Sequence, residues 1–372
     1  MQKKIRVGLV FGGRSGEHEV SLASAISVYN ALDKSRYDVT LIAIDKEGRW
    51  LLPEPKQFLV NAADPIHGKI VSAEKSYAVV PCPSNEQLVS IEPGEGHVPH
   101  LDVILPILHG TFGEDGTIQG LFEMAQIAYA GSGVLGSAVG MDKEVARTLL
   151  VAAGIKSVPT MTLRKFEYVK DPHGLESKIT REFKFPFFIK PANAGSSVGV
   201  HKVKTQTQLS SALEDAFSYD LKVLVEKAIP ARELECAVLG NDEPRASIVG
   251  EIVPRHEFYS YEAKYLDDNG ADLHIPAKNL SEELSEKVRQ TAIDAFRVLQ
   301  CRGMARVDFF LDKDTGELYL NEINTIPGFT KISMYPKMWE ASGLGYSALI
   351  DELIRLALEN FNQRKALKTS IR

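Results

Sequence analysis

The stretch IRVGLVFGGRSGEHEVSLASAISVYNAL, residues 5–32, decides the fold class. Residues 5–11 are a nearly unbroken apolar run of single-strand length, the pattern of a strand buried on both faces. The turn GGRSG follows at once. Val20, Ala23, Ile26 and Ala31 then recur at helical spacing, with Ser27 and Asn30 between them. Further strands are expected at 38–45 (DVTLIAID), 101–108 (LDVILPIL) and 127–131 (IAYAG), with a helix over 117–125. Buried strands alternating with helices predict a parallel α/β layer. Residues 50–100 are rich in Pro, Asn, Ser and charge, so edge strands and long loops are expected there.

A denser pattern begins near Ser137. A helix is predicted over MDKEVARTLLVAAGI (141–155), stopping at Gly154 in the C′ position. Strands are predicted at 185–191 (FPFFIKP), 199–203 (GVHKV), 223–229 (VLVEKAI), 233–240 (ELECAVLG) and 247–253 (SIVGEIV), with a helix over 208–220. That density suits a mixed or antiparallel sheet flanked by helices. FYSYEAKYLDDNG (258–270) has weak periodicity and reads as a loop. The longest clear helix, 281–300, opens on a Ser281 cap. ARVDFFLD (305–312) and LYLNEIN (318–324) read as a hairpin, followed by an amphipathic helix over 346–361 and a fraying basic tail.

The 372 residues carry 43 Lys plus Arg against 49 Asp plus Glu, a net charge of −6. With 44% hydrophobic and 25% charged residues, the composition excludes a disordered chain. Two or three domains are expected, because single cores stop growing near roughly 250–300 residues. No segment approaches the roughly 20 apolar residues that span a bilayer, and the first residues lack the features of a secretory signal. Mild acidity argues against a nucleic-acid coat. Cys82, Cys236 and Cys301 form no CxxC or zinc spacing, as in a reduced cytosolic protein. The 28 glycines are an average total, but thirteen fall in four windows, 12–16, 110–120, 131–140 and 195–199.

The chemistry concentrates in the hairpin and those windows. Glu322 and Asn324 are two apart and leave one face of their strand, and the short turn brings Asp308 to them. Oxygen ligands among Phe, Leu and Ile need compensation for desolvation, and two carboxylates with an amide carbonyl suit Mg²⁺ or Mn²⁺. A solvated sheet face is the plain alternative. Arg306 shares the face and could clamp a phosphoryl group or pair locally with Asp308 or Glu322. NAGSSVG (193–199) fits a backbone phosphate cradle, with Ser196 and Ser197 as added donors. Lys190 interrupts the buried run before it, and Lys143 opens the preceding helix. Glu17 lies at a helix start and His109 at a carboxyl strand end, where open α/β sheets bind ligands. Glu226 with its neighbours could line a purine pocket, and Glu233 could accept ribose hydroxyls. GVLGSAVG (133–140) could be a close-packed turn. No GxxxxGK[ST] and no GxGxxG is present, which removes the P-loop and dinucleotide-dehydrogenase readings.

Six motifs in order, GGRSGEHEVS (12–21), HGTFGEDGTIQG (109–120), KPANAGSSVGV (190–200), YEAKY (261–265), ARVDFFLD (305–312) and NEINTIPGFT (321–330), resemble the D-alanine–D-alanine ligase family of the ATP-grasp superfamily. The resemblance runs from about residue 4 to 360. It implies a three-lobed ATP-grasp fold, α/β and α+β, with an N-terminal parallel-sheet domain (1–136), a central lobe (137–230) and a C-terminal lobe (231–372). It also implies a cytoplasmic homodimeric enzyme that binds ATP, two Mg²⁺ or Mn²⁺ and two molecules of D-alanine, with no nucleic acid or membrane partner. Glu17 would hold the first ammonium, with His109 near its carboxylate. Lys143 and Lys190 would contact phosphates under a lid of Ser196 and Ser197. Glu226, Lys227, Ala228 and Ile229 would border adenine, and Glu233 the ribose. Lys264 and Tyr265 would lie on the closing loop, with Tyr265 coupled through Ser197 to Glu17. Arg306 and the Gly328 N–H would stabilise the reacting centre. Asp308, Glu322 and Asn324 would ligate metal, and Ser333 and Met334 would hold the second D-alanine. His18 stands where Arg is frequent, and Ala192-Asn193-Ala194 where charge is common. Tyr265 favours D-alanine over D-lactate as second substrate. A depsipeptide-forming or other carboxylate–amine ligase, and a non-catalytic nucleotide sensor, are the rivals.

Overall fold

In the computed structural model, residues 3–55, 58, 75–84, 86–92, 98, 100–255 and 270–368 are described, and their strands form three sheets. The first contains β1 (Ile5–Gly12), β2 (Tyr37–Ile44), β3 (Trp50–Leu51), β4 (Ser76–Val79), β5 (Leu88–Ser90), β6 (Val103–Ile107) and β7 (Ala128–Tyr129), in the order β5-β4-β3-β2-β1-β6-β7. Strands β2, β1, β6 and β7 run parallel, as the alternating pattern predicts, while β3, β4 and β5 add an antiparallel edge. Both faces are covered, which explains the unbroken apolar run of β1. Val7, Leu9 and Phe11 pack with Leu22, Ala25 and Val28 of the helix His18–Ala31. Val10 points to the other face, with Ile42, Ile104 and Phe122.

The second sheet contains β8 (Thr160–Arg164), β9 (Phe187–Pro191), β10 (His201–Val203) and β11 (Lys222–Lys227), antiparallel in the order β10-β9-β11-β8. Period-two alternation sorts its side chains. Phe187, Ile189, Val223 and Val225 enter a core with the helix Leu209–Tyr219. Lys190, Leu224 and Glu226 therefore face the other way.

The third sheet contains β12 (Ala231–Gly240), β13 (Arg245–Pro254), β14 (Ala271–His274), β15 (Gly303–Asp312) and β16 (Leu318–Asn324), antiparallel in the order β14-β13-β12-β15-β16. One face packs on the helix Glu282–Val298 through Val288, Ala292, Ala295 and Phe296. Ser281 caps that helix by accepting the Leu284 N–H at 3.2 Å.

Three expectations change. The longest helix is Tyr346–Lys365, 20 residues, rather than the 17-residue Glu282–Val298. It takes in residues read as a fraying tail, because Leu349, Ile350, Leu353 and Ile354 cover the first sheet. The run 133–140 becomes a helix, Val134–Met141, instead of a turn. Its glycines face neighbours: a Cβ on Gly136 would stand 2.5 Å from the Gln300 carbonyl oxygen. Asp142 then ends this helix and caps the next, Lys143–Ala152, through the N–H groups of Glu144 and Val145. Strand β8 and the helices Lys165–Lys170, Pro172–Glu182 and Met334–Ala341 lie in stretches the sequence left unassigned. The loop 258–270 lies outside the described residues except Gly270. Among the described residues, no helix is long and apolar enough to cross a membrane.

Candidate active site

The β15–β16 pairing sets the carboxylate constellation. Asp308 lies opposite Glu322 and Arg306 opposite Asn324, so all four side chains share one face. Asn324 Nδ2 donates to Asp308 Oδ2 at 3.0 Å. Arg306 forks onto Asp308, Nε to Oδ1 and Nη2 to Oδ2, each at 2.7 Å. Its Nε also lies 3.1 Å from Glu235 Oε2, on the neighbouring strand β12. Two carboxylates and an amide carbonyl form a hard-oxygen donor set at a partly exposed sheet edge. That set fits a divalent cation that keeps phosphate oxygens among its ligands.

Beside it, the register of β16 slips by one residue after Asp308, leaving Asn321 as an extra, bulged residue. The bulge aims Asn321 at the second sheet. Arg147 Nη2 reaches its carbonyl at 3.1 Å and its side-chain oxygen at 3.3 Å. Arg147 Nη1 also binds Glu226 Oε1 at 2.6 Å, and Lys190 Nζ lies 2.8 Å from the same oxygen. All three ionic groups are buried. Burial opposes the Glu226 charge, but Arg147 and Lys190 outweigh it and hold the carboxyl below its usual range. Burial lowers Lys190 to about 8, against the attraction of Glu226. Lys143 spans the gap between sheet and loop, 3.5 Å from Glu322 Oε2 and donating to the Ala194 carbonyl at 2.8 Å.

The glycine loop after β9 closes onto the first sheet. Ser196 and Ser197 take left-handed conformations at φ +49° and +60°. The Ser196 hydroxyl donates to Glu17 Oε1, whereas the resemblance assigns that coupling to Ser197. Gly195 is required by this approach, since a Cβ there would stand 2.4 Å from Glu17 Oε2. Gly110 meets the same oxygen from below, at 2.7 Å for a Cβ and with φ +74°.

His109 is expected from the sequence to face a substrate oxygen. The structure turns it inward. Nδ1 lies 3.0 Å from the Ile326 carbonyl and Nε2 3.2 Å from Ser24 Oγ, so both ring nitrogens bind protein atoms. Burial depresses its pKa below the usual value, against the pull of Glu17, and keeps the ring neutral. Ser333 Oγ accepts the Thr330 N–H at 3.0 Å and would stand only 2.8 Å from a Cβ on Gly328. Met334 is buried and fills the space over Gly250, so only its backbone can face a ligand. Lys227 ends β11, with Ala228 and Ile229 in the connection to β12. Glu233 lies two residues from Glu235, on the same face of β12. Lys264 and Tyr265 lie outside the described residues.

Sequence reading missed Ser24, Glu114, Arg147, Glu235 and Asn321. Arg147 had a signal: a cation on the apolar side of a helix that also buries Ala146 and Leu150. Glu114 had one too, inside the glycine-rich HGTFGEDG. Glu235 and Asn321 acquire meaning only through strand register.

Known proteins resemble this chain in sequence and in fold. Residues 6–132 match the family model described as the D-ala D-ala ligase N-terminus, and residues 149–355 the one described as its C-terminus. The D-alanine–D-alanine ligase of Shouchella clausii is 51% identical over 371 residues, covering 100% of this chain and 99% of the relative. A solved D-alanine–D-alanine ligase from Coxiella burnetii has a TM-score of 0.82 at 37% identity, with 97% of each chain covered. A D-Ala:D-Ser ligase from Enterococcus faecalis has a TM-score of 0.82 at 35% identity, covering 95% of this chain and 100% of that one.

Proposed function

The chain belongs to the D-alanine–D-alanine ligase family, and we infer that it is an ATP-dependent enzyme joining two D-alanine molecules into D-alanyl-D-alanine for peptidoglycan precursor synthesis. One observation carries this reading. Arg306, Asp308, Glu322 and Asn324 share a sheet face, and Lys143 links that face to the loop bonded to Glu17.

A carboxylate is a poor electrophile and must be activated. A carboxylate oxygen of the first D-alanine attacks the γ-phosphorus of ATP, giving D-alanyl phosphate and ADP. Glu17 holds the ammonium of that molecule. Lys143 and Lys190 neutralise phosphate charge; Glu226 fixes the Lys190 ammonium, and Arg147 holds Glu226 in place. Ser196 and Ser197 cover the phosphates. Lys227, Ala228 and Ile229 border adenine, beside Glu226, and Glu233 accepts from the ribose. Asp308, Glu322 and Asn324 would hold two Mg²⁺ or Mn²⁺, which when bound screen the charge of the triphosphate.

The deprotonated amine of the second D-alanine then attacks the acyl carbon. Arg306 and the Gly328 N–H stabilise the tetrahedral oxyanion, which collapses to the dipeptide and phosphate. Ser333 and the Met334 backbone hold the second molecule. His109 acts through the protein atoms it binds. Lys264 and Tyr265 close the site by resemblance and exclude water that would hydrolyse the acyl phosphate. The proposed lobes are 1–136, 137–230 and 231–372, in a cytoplasmic homodimer.

The test incubates the purified protein with ATP, Mg²⁺ and D-alanine and follows phosphate and dipeptide together. Parallel reactions replace the second substrate with D-lactate or D-serine, the latter taken from the Enterococcus faecalis relative. Equal amounts of phosphate and D-alanyl-D-alanine are expected. ATP turnover without dipeptide would sink the reading.

A further inference from the structure

The segment 326–329 carries Gly328 between β16 and the helix Met334–Ala341, yet its backbone is held largely by the loop after β6 and the helix His18–Ala31. Glu114 Oε1 accepts the Ile326 N–H at 2.9 Å, and Glu114 Oε2 accepts the Gly110 N–H at 2.8 Å. His109 Nδ1 lies 3.0 Å from the Ile326 carbonyl oxygen. A carbonyl only accepts, so Nδ1 carries the proton and Nε2 is left to accept from the Ser24 hydroxyl, 3.2 Å away. Ser24 Oγ in turn accepts the Phe329 N–H at 3.2 Å. Tyr346 donates to the Phe329 carbonyl. Residues on both sides of Gly328 are thus pinned at N–H and C=O. Ser24, His109 and Glu114 are 0%, 4% and 9% exposed, so water competes little for these bonds.

The same loop also frames Glu17. Ser15 donates to the His109 carbonyl at 2.7 Å, and Gly110 abuts the Glu17 carboxylate. One N-terminal loop therefore ties the residue assigned to the first ammonium to the segment carrying the Gly328 N–H. A backbone donor for an oxyanion works only when held to within a few tenths of an ångström.

We propose that Glu114, acting with His109 and Ser24, is a positioning residue for ligation, fixing the 326–329 backbone so that the Gly328 N–H meets the developing oxyanion. The proposal rests on the ligase reading. It separates holding this segment from binding ATP, which involves other residues.

The test is steady-state kinetics of Glu114→Gln in the full-length protein. Assayed at pH 9, where Glu114 is ionised and accepts at both oxygens, the amide keeps shape but turns one acceptor into a donor, so either the Ile326 or the Gly110 N–H loses its partner. Dipeptide kcat should fall roughly 10- to 100-fold, while the KM for ATP changes less than about threefold and Tm shifts by only a few degrees. His109→Asn should lower kcat in the same way. The double variant should lose little more than the larger single loss, since both act on residue 326. A merely structural role would instead move Tm, KM and kcat together. Should Glu114→Gln fail to fold, Ser24→Ala removes the Phe329 acceptor with Glu114 intact and should show the same kcat loss. An active wild type whose folded variants keep kcat within about twofold overturns the proposal alone. A wild type that makes no dipeptide overturns the ligase reading and the proposal with it.

Discussion

Glu322 and Arg147 show how a side chain's surroundings set its task. Glu322 is partly exposed, with Lys143 as a neighbouring cation. Glu322→Gln keeps the fold but removes a ligand charge, so turnover at limiting Mg²⁺ should fall by about tenfold or more. A Mg²⁺ titration checks this, and near-normal rates throughout would refute the metal assignment. Arg147 is 6% exposed and shares Glu226 with Lys190. Arg147→Met leaves a buried carboxylate with half its compensation and should cost about 3–5 kcal/mol in urea unfolding. Glu114 supplies a pH signature. Burial first, and the charge of Glu17 second, raise its pKa from the ordinary carboxylate range to about 8. Between those values the folded state binds more protons than the unfolded one, so stability falls as pH rises. Glu114→Gln lacks that slope. Its Tm deficit against wild type should shrink between pH 5 and pH 8.5, as thermal melts across the range would record.

At the scale of elements, the hairpin was legible because its polar residues interrupt apolar runs at period two. Asp308, Glu322 and Asn324 converge as that pattern predicts. The bulge at Asn321 was not legible, because a bulge is a property of two paired strands and one strand's sequence does not contain its partner's register. The helix Glu282–Val298 announced itself through its cap, and Ser281→Ala should cost about 1 kcal/mol by equilibrium unfolding. Helix Met334–Ala341 is only eight residues long, and its Ser333 N-cap makes no capping bond because the hydroxyl accepts the Thr330 N–H instead. Residues 133–140 were ambiguous, since glycines suit a turn as well as a close helix contact. The choice is made by the Gln300 carbonyl, just before β15, and by Thr325, just after β16.

For the whole molecule, the consequential contact is the return of the last helix to the first sheet. Leu353 and Ile354 share one core with Val7, Leu9 and Phe11. Removal of residues 346–372 should therefore uncover the first sheet and abolish its cooperative unfolding, as near-UV circular dichroism during heating would show. Sequence alone determined the local units: the buried parallel strands, the hairpin, the glycine loops and the order of motifs. Each depends on spacing within a few residues, where helix and strand periodicity act. Tertiary structure alone decided that Ser196 meets Glu17, that His109 turns inward to Ile326, and that Arg147 and Lys190 share Glu226. Those partners are 179, 217, 79 and 36 residues apart in the chain. Their pairing is dictated by which buried charges and N–H groups must satisfy one another once water is excluded.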